Sequence, residues 1–191
     1  TPDIMAIRGL RFAFASETDQ GARFSPSRVK WLTGGDTLTG RNPHDRFEIT
    51  FYPTHTLFLL TNHKPAAPPD DFAFWERTHL VPFETAFVNR EPQAGNERRQ
   101  DKDLKEKLRA EASGILNWLV QGCLDYQEEG LSMPPIVKEA TADYRRAEDI
   151  LADFIEDRCV LQAGAQAWAS DLFEAFKDWY TENVSKKEPT A

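Results

Sequence analysis

The chain lacks any GxxxxGK[ST] run in its 191 residues. By itself it therefore carries no loop of backbone amides and lysine to cradle a triphosphate. It has two cysteines, Cys123 and Cys159, and neither belongs to a CxxC pair. That argues against a disulfide framework or a zinc knuckle and fits a reducing, cytoplasmic setting. The four histidines fall between His44 and His79 at spacings that match no common metal pattern. No apolar run approaches the roughly 20 residues needed to cross a bilayer, and no charged region followed by a clean apolar stretch marks a signal peptide. Positive charge is scarce: 23 Lys and Arg against 31 Asp and Glu leave a formal net charge of -8. Such a chain does not coat nucleic acid as a polycation and could meet it only through a local basic surface.

What is present is globular in kind. The chain is 40% hydrophobic and 28% charged, and its 13 Phe and 5 Trp can fill a sizeable core, so disorder is a poor description. It opens without Met, as a processed fragment or a piece of a longer chain would.

The first half reads as strands that end in polar residues. Leu10 to Ala15 (LRFAFA) is an apolar run ending at Ser16-Glu17. Ser27 could cap a short helix holding Val29, Lys30, Trp31 and Leu32, with Thr33-Gly34-Gly35-Asp36 as the loop after it. Thr37–Thr39 and Phe47–Phe51 read as the arms of a hairpin whose tip is Arg41-Asn42-Pro43-His44-Asp45. A second buried strand, Thr56 to Leu60, ends at Thr61-Asn62, and a Pro-rich loop follows over Pro65–Asp71. Thr78 to Phe83 reads as a further strand and Asn89–Gln100 as an exposed loop.

The second half reads as helical. One helix is expected over Asp101 to about Glu129, with Ser113-Gly114 as a possible interruption. Another opens at Pro134-Pro135 and runs toward Cys159, and a last one starts near Ser170. Repeats and low-complexity tracts are absent from the sequence.

Three constellations could carry chemistry. Ligands in open α/β sheets sit beyond the C-terminal strand ends, so Glu17 and Asn62 would face one site if their strands are parallel neighbours. There a carboxylate can hold a Mg2+ shell or polarise water, and an Asn can orient that water. The plainer alternative is two ordinary strand-end polar residues. Arg77 could reach a phosphate of a neighbouring subunit or simply pair with Glu76 or Asp71. The segment Arg23–Arg46 carries five Lys/Arg against two Asp, a local +3, so its hairpin could track a phosphate backbone or be merely solvated. The charged stretch Arg98–Glu111 mixes both signs, as a solvated helix face does.

Taken together these segments resemble a known family. The string from FASETDQGARFSPSRVKWLTGGD to LLTNHKP resembles the phage/plasmid primase-helicase family of superfamily 3, related to satellite-phage and poxvirus primase-helicases. FAFWERTHLVPF looks like that family's arginine-finger strand and EKLRAEASGILNWLVQGCLDYQEEGL like the helical segment after it. DYRRAEDILADFIEDRC and SDLFEAFKDWY look like the start of its winged-helix region.

The resemblance implies an α/β fold: a partial P-loop ATPase core over residues 1–90, helices over 91–145 and the start of a truncated winged helix over 146–191. It implies that Glu17 is the acid ending the Walker B strand, close to Mg2+, that Asn62 is the sensor, and that Arg77 is a finger completing the next subunit's ATP site in a ring. It implies that the DNA-contacting loop and hairpin lie within Lys30–Arg46, with Lys30, Arg41, His44 and Arg46 as contacts. The cofactors implied for the longer protein are ATP and Mg2+, held only weakly here. The implied partners are single-stranded or forked DNA and further copies of the chain, with no membrane, and the implied setting is the cytoplasm, for a bacterial or phage-encoded protein. Two departures stand out. The family often has two basic residues before the last strand, whereas Glu76 precedes Arg77 here, and the Walker A strand and loop are missing and would fall upstream of Thr1.

The expectation is therefore part of an ATP-driven replicative helicase, inactive alone. One rival is a non-enzymatic DNA-binding or oligomerising module from a prophage remnant. A second is a metal-dependent hydrolase built on Glu17, Asp19 and the histidines, for which too few carboxylates converge in the sequence.

Overall fold

The computed structural model describes residues 2–16, 21–186 and 189. Along the chain the elements are α1 (Pro2–Ala6), β1 (Phe12–Ser16), α2 (Pro26–Thr33), β2 (Leu38–Gly40), β3 (Ile49–Phe51), β4 (Thr56–Leu60), α3 (Phe72–Trp75), β5 (Ala86–Val88), β6 (Glu97–Arg99), α4 (Leu104–Ala110), α5 (Ala112–Glu129), α6 (Pro135–Ala147), α7 (Ile150–Arg158) and α8 (Ala169–Asn183). The protein is mixed α/β, and the described strands form three two-stranded sheets. The chain divides into two compact units, one of Thr1–Thr78 with Asp143–Ala191 and one of His79–Ala142.

In the first unit β1 and β4 are parallel neighbours, with Phe12 opposite Thr56 and Ser16 opposite Leu60. Apolar runs make both strands, and Phe14 and Phe58 stack across the pair with centroids 5.4 Å apart. β2 and β3 form the antiparallel hairpin, fixed by the Thr39–Thr50 hydroxyl pair at 2.9 Å. Leu38 is fully buried, and α1 lies so close to β2 that a Cβ on Gly40 would meet Met5 Sδ at 3.1 Å and Ile4 Cβ at 3.2 Å. α2 ends where Gly34 has no Cβ to strike the Lys30 carbonyl and Gly35 turns left-handed at φ 81°.

The core of this unit is an aromatic chain. Phe24 meets Phe74, Phe74 meets Trp75 edge-on, and Trp75 meets Tyr144 edge-on, with centroids 5.2–5.3 Å apart. A second cluster joins α7 to α8 through Phe154, Phe176 and Trp179, and the Trp179 indole donates to Asp157 Oδ2 at 2.7 Å.

In the second unit β5 and β6 pair in parallel, and Glu97 binds Arg90 through both carboxylate oxygens at 2.8 and 2.5 Å. Those bonds, with amides of Gln93 and Ala94, hold the Glu97 carboxyl below its ordinary value. α5 buries none of its residues within this unit, and Leu116, Trp118 and Leu119 stand exposed on it.

Several sequence expectations change. Thr78–Phe83 is not a strand: the Thr78 hydroxyl donates to the Phe74 carbonyl and the Leu80 amide donates to Thr141 Oγ1, so a helix side chain takes the place of a ladder. The strand falls later, at Ala86–Val88, and its partner Glu97–Arg99 occupies the end of the expected loop. The helix break falls at Glu111 rather than Ser113-Gly114, which stay helical in α5. The helix expected from Pro134 to Cys159 is two, because Asp149 caps α7 by accepting from the Ala152 amide at 3.0 Å. α2 starts at Pro26 with Ser25, not Ser27, at the cap position, and α8 starts at Ala169 with Trp168 at its cap.

Candidate functional site

The parallel pairing of β1 with β4 sets the site. The ladder stops at Ser16 and Leu60, and backbone pairing resumes beyond it at the bridge between Arg23 and Ala66. The chain leaves β4 through a tight turn: the Thr61 hydroxyl donates to the His63 carbonyl at 2.8 Å and accepts from the His63 amide at 3.1 Å. Asn62 is the residue between them. It is exposed, and its side chain makes no hydrogen bond among the described residues. A carboxamide placed beyond a parallel strand end with both its donor and acceptor open can meet a polar ligand there. Glu17, expected opposite it, and Asp19 lie outside the described residues.

α3 follows the Pro-rich loop and places two more of the expected residues. Asp71 caps this short helix by accepting from the Phe74 amide at 3.0 Å, and its other carboxylate oxygen takes Lys30 Nζ at 2.8 Å. The bond from Lys30 is the main reason the Asp71 carboxyl sits below its ordinary value, and the Arg77 charge adds to it. Lys30 thus serves α3 in this structure. Arg77 is exposed just past α3, and one guanidinium nitrogen donates to the Ala73 carbonyl at 2.7 Å.

The hairpin tip brings Arg41, His44 and Arg46 together on one exposed loop, and none of the three has a side-chain partner among the described residues. Its turn is closed by the Asp45 amide on the Asn42 carbonyl at 3.2 Å and by Asn42 Nδ2 on Asp45 Oδ2 at 2.8 Å. Pro43 sits at the second position, and His44 at the third has φ 69°, the left-handed value a type II turn demands there. A non-glycine residue in that conformation is uncommon, although histidine tolerates it better than most. Phe47 is 80% exposed beside this basic tip, and sequence reading placed it only as strand. An aromatic interleaved with Arg41, His44 and Arg46 was the signal that could have found it.

Two other groupings carry less. Among the described residues no cluster of three or more His, Cys, Asp or Glu could hold a metal ion, and no helix is long and apolar enough to cross a membrane. The shallow hollows that flank Trp118 on α5 lie in the second unit and are open to solvent.

A parallel strand pair with an exposed Asn beyond its end, an exposed Arg and a basic hairpin are the candidate features of this mixed α/β protein. Relatives carry the assignment further. No family model matches the chain. It is 28% identical to the "Putative helicase L207/L206" of Acanthamoeba polyphaga mimivirus, across 100% of this chain and 21% of the viral protein. It is 27% identical to the "Putative helicase 022R" of Frog virus 3, across 92% of this chain and 19% of that protein. It is 22% identical to the "Putative primase C962R" of African swine fever virus, across 98% and 20% respectively. The chain spans about a fifth of the length of these curated relatives. It is related to viral proteins named as putative helicases and primases, in keeping with the primase-helicase family that its motifs resemble.

Proposed function

We propose that this chain is the strand-end part of an ATP-driven DNA motor: the C-terminal portion of a superfamily 3, P-loop ATPase core, followed by helices and the start of a winged helix, from a phage/plasmid-type primase-helicase. The observation that carries the reading is the parallel pairing of β1 with β4, which sets Asn62 open at the carboxyl end of the pair. Ligands of such sheets bind there. The names of the viral relatives support a replication role.

ATP with Mg2+, when bound, supplies the phosphoryl chemistry. This chain's Glu17 is assigned to the metal's shell and Asn62 to orienting the attacking water. Arg77, exposed beyond α3, is assigned to the phosphates of the next subunit in a ring. Arg41, His44 and Arg46 are assigned to the DNA backbone in the ring's channel, with Phe47 available to stack on a base. Lys30 could join them only by leaving Asp71. The sequence holds no P-loop, so the 191 residues alone are expected to be inactive. A reducing, cytoplasmic setting, bacterial or phage-encoded, goes with this reading, and the free thiols of Cys123 and Cys159 accord with it.

The test is ATP hydrolysis with and without single-stranded DNA by a version of the protein extended upstream of Thr1, beside Asn62→Ala. DNA-stimulated hydrolysis that Asn62→Ala abolishes supports the motor. Its absence from a well-folded protein overturns it. The exposed basic tip would then favour the second reading, a DNA-binding or oligomerising module without turnover.

A further inference from the structure

The loop that follows Asn62 is gripped from far along the chain. Pro65 and Ala67 are buried, and the loop's three prolines, Pro65, Pro68 and Pro69, bring no amide N–H that burial would orphan. Most of the remaining backbone groups from Pro65 to Pro69 find partners. The Tyr144 hydroxyl donates to the Pro65 carbonyl, the Ala67 amide donates to Glu148 Oε2 at 2.8 Å, and Arg145 Nε donates to the Pro69 carbonyl at 2.7 Å. The Trp75 indole takes the Pro68 carbonyl at 2.8 Å, and Ala66 exchanges bonds of 2.8 and 2.9 Å with Ala22 and Phe24. Lys64 Nζ lies 5.5 Å from the Tyr144 ring centroid.

Tyr144, Arg145 and Glu148 all come from the last turn of α6 and the residue after it. Tyr144, 3% exposed, also packs edge-on against Trp75, two residues before Arg77. One side chain therefore touches both the segment that leaves Asn62 and the last residue of α3, two positions before Arg77. Glu148 stands where α6 stops, and Asp149 begins α7 at the next residue. The brace is thus continuous with the C-terminal helices.

The geometry points to Tyr144 and Glu148 as positioning residues that fix Asn62 and Arg77 relative to each other and tie both to the C-terminal helices. This rests on the roles proposed above for Asn62 and Arg77. Tyr144 and Glu148 act through the backbone of Pro65 and Ala67 rather than on nucleotide in this reading. Their loss lets the Asn62 turn drift, and a displacement of that order lowers the rate of chemistry more than it weakens nucleotide binding.

The experiment uses the upstream-extended protein with Tyr144→Phe, which keeps the ring against Trp75 but loses the hydroxyl, and with Glu148→Ala and Glu148→Gln. Glu148→Gln keeps an oxygen that accepts from the Ala67 amide. Asp149→Ala, which removes only the α7 cap, is the control for lost stability. Tyr144→Phe and Glu148→Ala should lower kcat for ATP about tenfold or more with KM held within about twofold. Glu148→Gln should restore kcat, and Asp149→Ala should leave it unchanged. A kcat that follows melting temperature across all four variants overturns the inference. Amide hydrogen exchange separates that failure from failure of the ATPase reading, because it needs no turnover. Glu148→Ala should deprotect residues 61–67 while sparing α8, and unchanged exchange there refutes the brace itself.

Discussion

Lys30 and Asp71 are joined by a 2.8 Å ion pair between α2 and α3, and the same carboxylate caps α3. Lys30 holds the Asp71 carboxyl below its ordinary value of about 3.9, with the Arg77 charge a smaller contribution. A carboxyl whose folded pKa is depressed stabilises the fold fully above its unfolded pKa, and this is lost as pH falls through the folded value. The acid limb of a plot of melting temperature against pH should therefore be shallower in Asp71→Asn than in the natural protein. Parallel acid limbs would mean that the pair contributes nothing.

Phe154 is 1% exposed and meets Phe176 and Trp179 at 5.3 and 5.7 Å. It is the residue on which α7 and α8 close. Phe154→Ala should cost about 3–5 kcal/mol, the range for large aromatic truncations in a core. Urea unfolding checks the value. Removing Asp149, the α7 cap, should cost only about 1 kcal/mol. A smaller loss for Phe154→Ala than for Asp149→Ala would mean that the α7–α8 cluster is not what holds these helices.

Burial, with the Glu148 charge second, pushes the Tyr144 hydroxyl up to about 12. Here the folded pKa lies above the unfolded one, near 10, so the proton-linked stability is complete below the unfolded value. It is lost as pH rises from there through about 12. Tyr144→Phe should lower stability at neutral pH, because the Pro65 carbonyl loses its donor, and should flatten the alkaline decline. Thermal melts between neutral pH and the alkaline limit read both effects. An unaltered alkaline slope would show that Tyr144 does not carry it.

The same residues mark where sequence reading reaches and stops. Thr56–Leu60 was legible in full because five residues of apolar and β-branched type end at a polar pair, and that pattern is local. The parallel pairing of β4 with β1 was legible only as a condition, since no periodicity states which strand a strand will join. The run Thr78–Phe83 has strand composition but takes its bonds from Phe74 and Thr141, so partners decided against propensity. The Asp149 cap was readable in principle, being an Asp directly before an apolar helical turn. The grip of Tyr144 on Pro65 was not, because it joins a hydroxyl to a backbone carbonyl 79 residues away and leaves no spacing signal. Within the candidate site, Asn62, Arg77 and the basic tip were singled out by position and by the family resemblance together, whereas Phe47 was hidden by its place in a strand-like run.

The hairpin offers the clearest separation of charge from stacking. Arg41 and Arg46 are exposed and have no side-chain partner among the described residues, so each can displace a counterion from a phosphate. Arg41→Ala should weaken single-stranded DNA binding and reduce the slope of log affinity against log salt by about one. Phe47, which carries no charge, should weaken binding when changed to Ala by about 1–3 kcal/mol while leaving that slope alone. His44→Gly adds a third reading. Glycine adopts the left-handed backbone of this turn freely, so the fold should keep its melting temperature while the imidazole is lost. In the upstream-extended protein, Arg41→Ala should lower DNA-stimulated hydrolysis more than basal hydrolysis. Equal loss of both, or an unchanged salt slope in Arg41→Ala, would remove the hairpin from the DNA interface and leave its exposed tip without that role.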